Sequence, residues 1–202
     1  MKALYVTDRS AVSDEKLEEI LARLSGAKGL SVELREKGCS DRELFARARR
    51  AKEILSDTPL SVNRRFDVAL AAGAQGVHLP AGGLPVERVK ANTPRGFGVG
   101  VSTHSAAEAK AALEAGADVV VLGPIFDTPS KRAYGRPLGP EVLADLPPAS
   151  DHSAEVYAIG GIDLDRLEAL LPFRDRITGI AAVRLFQDAK DPRAVLARLE
   201  SS

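Results

Sequence analysis

The residues best able to do chemistry in this chain sit in short segments, each just after an apolar, β-branched run. Arg35-Glu36-Lys37 follows Leu30–Leu34, Asn63-Arg64-Arg65 closes Leu60–Asn63, and Ser102-Thr103-His104-Ser105 follows Gly98–Val101. Gly160-Gly161 follows Val156–Ile159, Arg184 comes two residues after Gly179–Ala182, and a long segment from Gly123 to Gly139 contributes Asp127 and Lys131. Arg and Lys prevail in these segments, although the 202-residue chain carries a formal net charge of +0. Gathered cations suit an anionic small molecule, phosphate above all, because a guanidinium meets phosphate oxygens through paired N–H donors. Arg64 and Arg65 also precede a helical pattern, where the macrodipole opposes positive charge and a bound anion would relieve it. Gly160-Gly161 lets backbone N–H groups approach an oxyanion closely, or makes an ordinary tight turn. His104 is the acid/base candidate, since an imidazole can take one proton and return another near neutrality. His78, between Val77 and Leu79, reads as a hydrogen-bonded core residue. Cys39 is the sole cysteine and has no base near it in sequence, so neither a disulfide nor a nucleophile is expected. No metal-ligand spacing is present.

These segments need a scaffold that brings strand ends together, and the chain supplies one. Ala72-Gly73-Ala74-Gln75-Gly76-Val77-His78-Leu79 is echoed by Ala115-Gly116-Ala117-Asp118-Val119-Val120-Val121-Leu122. Each copy stops a helix on Gly and enters a buried strand at once, as repeated βα units do. Eight strands are expected: Ala3–Val6, Leu30–Leu34, Leu60–Asn63, Gly76–Leu79, Gly98–Val101, Val119–Leu122, Val156–Ile159 and Gly179–Ala182. Helices are expected over Asp14–Leu24, Asp41–Leu55, Phe66–Ala72, Pro85 to about Ala91, Ala106–Ala115, from Pro140, over Asp163–Leu170 and over Pro192–Leu199. Ser40 with Glu43 and Ser105 with Glu108 fit the capping box. The pattern predicts an α/β fold, a (β/α)8 TIM barrel forming a single compact domain over residues 1–202. A doubly wound sheet is the alternative, but the first turn, Thr7-Asp8-Arg9-Ser10, lacks the glycines of a dinucleotide fold. The barrel places the loaded segments at one mouth. Balanced charge gives no reason to expect nucleic acid or a membrane, and Met1-Lys2 leads straight into a strand pattern, so a cytoplasmic protein is expected.

Several of these segments resemble motifs of the thiamine-phosphate synthase/TenI family, and the likeness runs almost the whole length. They are Leu4-Tyr5-Val6-Thr7-Asp8-Arg9, Leu34-Arg35-Glu36-Lys37, Gly76-Val77-His78-Leu79, Gly100-Val101-Ser102-Thr103-His104, Gly123-Pro124-Ile125-Phe126, Pro137-Leu138-Gly139 and Ala158-Ile159-Gly160-Gly161-Ile162. The resemblance implies the barrel and a role in thiamine metabolism. The family's synthases join a pyrimidine diphosphate to a thiazole phosphate and carry Asn-Asp-Arg after the third strand and Gly-Gln-x-Asp after the fourth. Those two aspartates hold the magnesium ion that neutralises the leaving pyrophosphate. This chain has Asn63-Arg64-Arg65 and Pro80-Ala81-Gly82-Gly83 instead, and the synthase loop Thr-Lys-x-Asp-Ala becomes Ser130-Lys131-Arg132-Ala133-Tyr134. The departures resemble the TenI branch, which implies an isomerase: a thiazole tautomerase that shifts a proton on a carboxythiazole phosphate without metal or cofactor. In that reading His104 is the acid/base, and Arg35, Lys37, Asn63, Arg64, Ser102, Lys131, Gly160, Gly161 and Arg184 bind substrate and phosphate. The alternatives are a synthase, a transferase, or a non-catalytic barrel that binds thiamine intermediates. The expected partners are a phosphorylated thiazole and a second copy of the chain in a homodimer.

Overall fold

The computed structural model describes residues 1–128 and 136–201. Eight parallel strands close into a barrel in chain order: β1 Lys2–Val6, β2 Leu30–Leu34, β3 Leu60–Asn63, β4 Gly76–Leu79, β5 Gly98–Thr103, β6 Val119–Leu122, β7 Glu155–Ile159 and β8 Gly179–Ala182. Pairing of Ala3 with Ile180 closes the ring. The expected (β/α)8 barrel is therefore the observed one. Around it run α1 Asp14–Leu24, α2 Asp41–Leu55, α3 Phe66–Ala71, α4 Val86–Lys90 and α5 Ala106–Glu114, then α6 Arg184–Gln187 and α7 Pro192–Glu200.

Local chemistry explains most of these bounds. Ser40 Oγ accepts from the Glu43 N–H while the Glu43 carboxylate accepts from the Ser40 N–H, so α2 starts on a complete capping box. Ser105 caps α5 through the Glu108 N–H at 3.1 Å. The helix expected from Asp163 starts later, as a 3-10 turn over Leu167–Phe173 that contains Pro172. The Asp163 carboxylate accepts the Arg166 N–H at 2.9 Å, closing a local turn rather than opening an α-helix. The segment from Pro140 is also 3-10, over Pro140–Asp145. The four-residue α6 has no sequence periodicity to betray it, and it makes Arg184 a helix-starting residue.

Strand alternation divides the apolar residues into two unequal groups. The larger lies between strands and helices and includes Tyr5, Leu34, Val62, Leu122 and Phe186. The smaller fills part of the barrel's inside with Leu4, Val6, Val121, Tyr157 and Ala181. On the β2–β5 arc the inward positions nearest the N-terminal end are Ser31, Ser61, Gly76 and Gly98, and a cavity of about 510 Å³ opens there. A Cβ on Gly76 would lie 2.6 Å from the Gly98 carbonyl oxygen, whereas one on Gly98 would meet nothing nearer than 3.7 Å. Gly98→Ala is therefore expected to stabilise the chain by about 0.5–1 kcal/mol by restricting the unfolded state. Gly76→Ala is expected to cost about 1–3 kcal/mol by overpacking. Urea midpoints of the two variants check both signs.

Candidate active site

The C-terminal ends of the strands form the opposite mouth, and the side chains that reach it alternate with the core. In β2, Val32 and Leu34 pack outward while Glu33 turns inward. In β3, Leu60 and Val62 pack outward and Asn63 turns inward. In β4 and β5 the inward residues are His78 and Ser102. These four polar residues from four adjacent strands make one chain of contacts. Asn63 Nδ2 donates to Glu33 Oε1 at 2.7 Å, Glu33 Oε2 lies 3.7 Å from His78 Nδ1, and His78 Nε2 lies 2.9 Å from Ser102 Oγ. Glu33 and His78 are both buried, whereas Ser102 and Asn63 are half-buried above them. Glu33 and His78 thus hold the two residues that face the mouth.

His104 is exposed beyond the end of β5. Its Nδ1 lies 2.7 Å from the Gly123 carbonyl oxygen, which can only accept, so in the neutral ring Nδ1 carries the hydrogen and the lone pair is on Nε2. The His104 backbone N–H donates to the Glu108 carboxylate at 2.7 Å, which fixes the start of α5 to this residue.

The cations fall into two kinds. Arg65 is spent locally: it donates to the Asp67 carboxylate at 2.9 and 2.7 Å and also pairs with Asp41. The anion expected to relieve it at the start of α3 is thus replaced by two carboxylates of the chain itself. Glu36, between Arg35 and Lys37, is likewise turned away, toward Arg47 at 2.8 Å and Arg9 at 3.6 Å. Arg35, Lys37, Arg64 and Arg184 make no side-chain bond or ion pair among the described residues. The Arg35 backbone is anchored, its N–H donating to Thr7 Oγ1 at 3.0 Å. Cys39 is unsuited to nucleophilic work, because burial and the charge of Glu36 push its thiol up.

Across the mouth, the loops after β6 and β7 are laced together. Ile125 N–H donates to the Ile159 carbonyl at 2.8 Å and Phe126 N–H to that of Gly160 at 2.9 Å. Gly160 has φ +103 and Gly161 φ +64, and a Cβ on either would fall within 2.7 Å of backbone atoms of Pro124 or Asp127. The glycine pair is therefore required by close packing. Arg184 starts α6 just after β8, beside this arc. Lys131 lies outside the described residues.

The two positions where the family resemblance looks for magnesium carboxylates hold none. One is Arg64; the other is the tight turn Pro80–Gly83, closed by a Gly83 N–H to Pro80 carbonyl bond of 3.0 Å. The inward carboxylate of Glu33 is committed to Asn63. Among the described residues no three His, Cys, Asp or Glu side chains group to hold a metal. The residues present do not fit a magnesium ion here.

Residues 3–186 match the family described as thiamine monophosphate synthase. The chain is 39% identical over 184 residues to the thiamine-phosphate synthase of Methanoregula boonei, covering 89% of this chain and 84% of that one. It is 33% identical over 198 residues to the thiamine-phosphate synthase of Roseiflexus sp., covering 97% and 82%. The solved thiamine phosphate pyrophosphorylase of Pyrococcus furiosus superposes with a TM-score of 0.81 at 29% identity, covering 99% of this chain and 94% of that one. No helix among the described residues is long and apolar enough to cross a membrane. These relatives correct the tautomerase expectation. Two are named as synthases, which are transferases, and the third as a pyrophosphorylase; the likeness spans nearly the whole chain, while the isomerase reading rested mainly on two altered positions. Losing two metal ligands changes how charge is balanced; it does not identify which bond is made.

Proposed function

The chain belongs to the thiamine monophosphate synthase family, and from that premise we propose that it joins a pyrimidine diphosphate to a thiazole phosphate with release of pyrophosphate. The carbon–oxygen bond to the diphosphate breaks with its electron pair left on oxygen. The thiazole ring nitrogen gives its own pair to the same carbon. No proton has to be removed first, so the protein's task is to align two anions and stabilise the charge that grows on the leaving group.

The observation that carries this reading is a mouth with two anion-suited places on opposite arcs. Arg35, Lys37 and Arg64 follow β2 and β3, and Gly160-Gly161 follows β7 with Arg184 after β8. Two phosphorylated substrates need two such places. The diphosphate fits the cationic arc, and the thiazole phosphate fits the glycine arc. Ser102 and Asn63, braced from below by His78 and Glu33, support orientation of the pyrimidine between them. His104 offers the lone pair of Nε2 to a substrate N–H, and its role in this reaction is to position rather than to shuttle a proton.

The test is a two-substrate reaction followed by chromatography. The expected result is thiamine phosphate and pyrophosphate in equal amounts when both substrates are supplied, and neither product when one is omitted. Absence of product with and without added Mg²⁺ would overturn the reading.

A further inference from the structure

The cationic arc carries the charge a leaving pyrophosphate needs but no carboxylates for the magnesium ion that the family resemblance sets beside it. We propose that Arg64 supplies this charge with its guanidinium, so that the transfer runs without a divalent metal. The inference rests on the synthase reading above.

The backbone breaks the strand's alternation at Arg64. Leu60 and Val62 send their side chains into the layer between barrel and helices, and a continued strand would send Arg64 there as well. Instead Arg64 has φ +68, and it is exposed. Its N–H donates to the His78 carbonyl at 2.8 Å, tying this turn to the end of β4. A non-glycine residue keeps such a backbone only where its surroundings enforce it, and such strain gathers at functional sites. The contrast with its neighbour is chemical. Arg65 is paired with two carboxylates, whereas Arg64 has no partner among the described residues.

A guanidinium meets the needs of a leaving diphosphate. It is always protonated, it can grip two oxygens at once, and it needs no ligands of its own. Arg35 lies one residue past β2, level with Asn63 by the pairing of Leu34 with Val62, so it adds a second charge beside the first. A divalent cation at the same place would face these guanidiniums rather than the carboxylates it needs. When the carbon–oxygen bond breaks, the electron pair stays on the pyrophosphate, and Arg64 is there to meet it.

The experiment compares wild type, Arg64→Gln and Arg64→Asp, each stripped with EDTA and assayed with both substrates, in EDTA and with added Mg²⁺. Wild type is expected to turn over at the same rate in both, and Arg64→Gln to lose about 10²-fold, as when one preorganised donor to developing charge is removed. Arg64→Asp is expected to be inactive in EDTA and to stay inactive with added Mg²⁺, because the Pro80–Gly83 turn still supplies no second carboxylate. Calorimetry with inorganic pyrophosphate in EDTA gives a readout independent of turnover: wild type should bind and Arg64→Gln should bind at least about tenfold more weakly. Wild-type turnover only with Mg²⁺, or pyrophosphate binding that ignores Arg64→Gln, would overturn the inference while leaving the synthase reading intact. No product in any condition, with pyrophosphate binding still dependent on Arg64, would overturn the synthase reading instead. Equal far-ultraviolet circular dichroism of the three proteins guards against a folding artefact.

Discussion

Gly160→Ala is expected to lower turnover about a hundredfold while leaving a folded barrel, because a displacement near 1 Å at a reacting geometry has about that effect. The cause is steric and local. Gly160 has φ +103, where an L side chain is strained, and a Cβ there would lie 2.7 Å from both Cα and Cβ of Pro124. Backbone cannot yield as a side-chain tip can. The β6 loop must therefore move, and with it the Phe126 N–H bond to the Gly160 carbonyl and the Gly123 carbonyl that fixes His104. Strain and overpacking together are expected to remove about 2–5 kcal/mol of stability. For a chain of this size that is a fall in melting temperature of about 5–15 °C. Steady-state kinetics and calorimetry on one sample measure both. Wild-type turnover in the variant would show that the two loops are not coupled.

Glu33→Leu is expected to be the most damaging substitution beneath the mouth. Leucine roughly keeps the volume, so the loss is electrostatic. Asn63 Nδ2 loses its acceptor at 2.7 Å, and His78, 3% exposed, loses the carboxylate beside its Nδ1. Leaving such buried groups unmatched costs about 2–4 kcal/mol. Glu33→Gln can still accept from Asn63 and should lose no more than about 1 kcal/mol. Urea unfolding of the two variants separates them. Equal midpoints would mean that the carboxylate does not brace Asn63 and His78. The same variants should raise KM for the pyrimidine diphosphate, since Asn63 and Ser102 are held from below.

The barrel was legible in the sequence because its signals are local. The bounds of β2, β3, β4, β6 and β8 follow directly from apolar runs bordered by turn residues. The cap at Ser40 is written in two residues. What failed to show was either acyclic or long-range. Asp163 looks like a helix cap, yet its carboxylate closes a turn at Arg166. His78 looks like a core residue, and it is buried, but its meaning depends on Glu33 and Ser102 from other strands. A signal was present: Glu33, Asn63, His78 and Ser102 are polar residues on the same parity of four consecutive strands, which in a closed barrel converge. The cationic mouth was also legible, but not which cations were free, because the pairing of Arg65 with Asp41 joins residues 24 apart. The reaction itself was misread because two missing aspartates describe the handling of charge and say nothing of the bond that forms.

The division of the apolar residues into a large outer group and a small inner one separates what keeps this protein folded from what it acts with. The residues between strands and helices carry most of the apolar packing, while the inner wall combines a small apolar group with serine, glycine and a few polar residues. Exposed residues at the mouth can be exchanged without weakening the frame, whereas buried inner-wall residues such as Gly76 and Glu33 cannot. The chemistry of the mouth is therefore freer to change than the architecture beneath it.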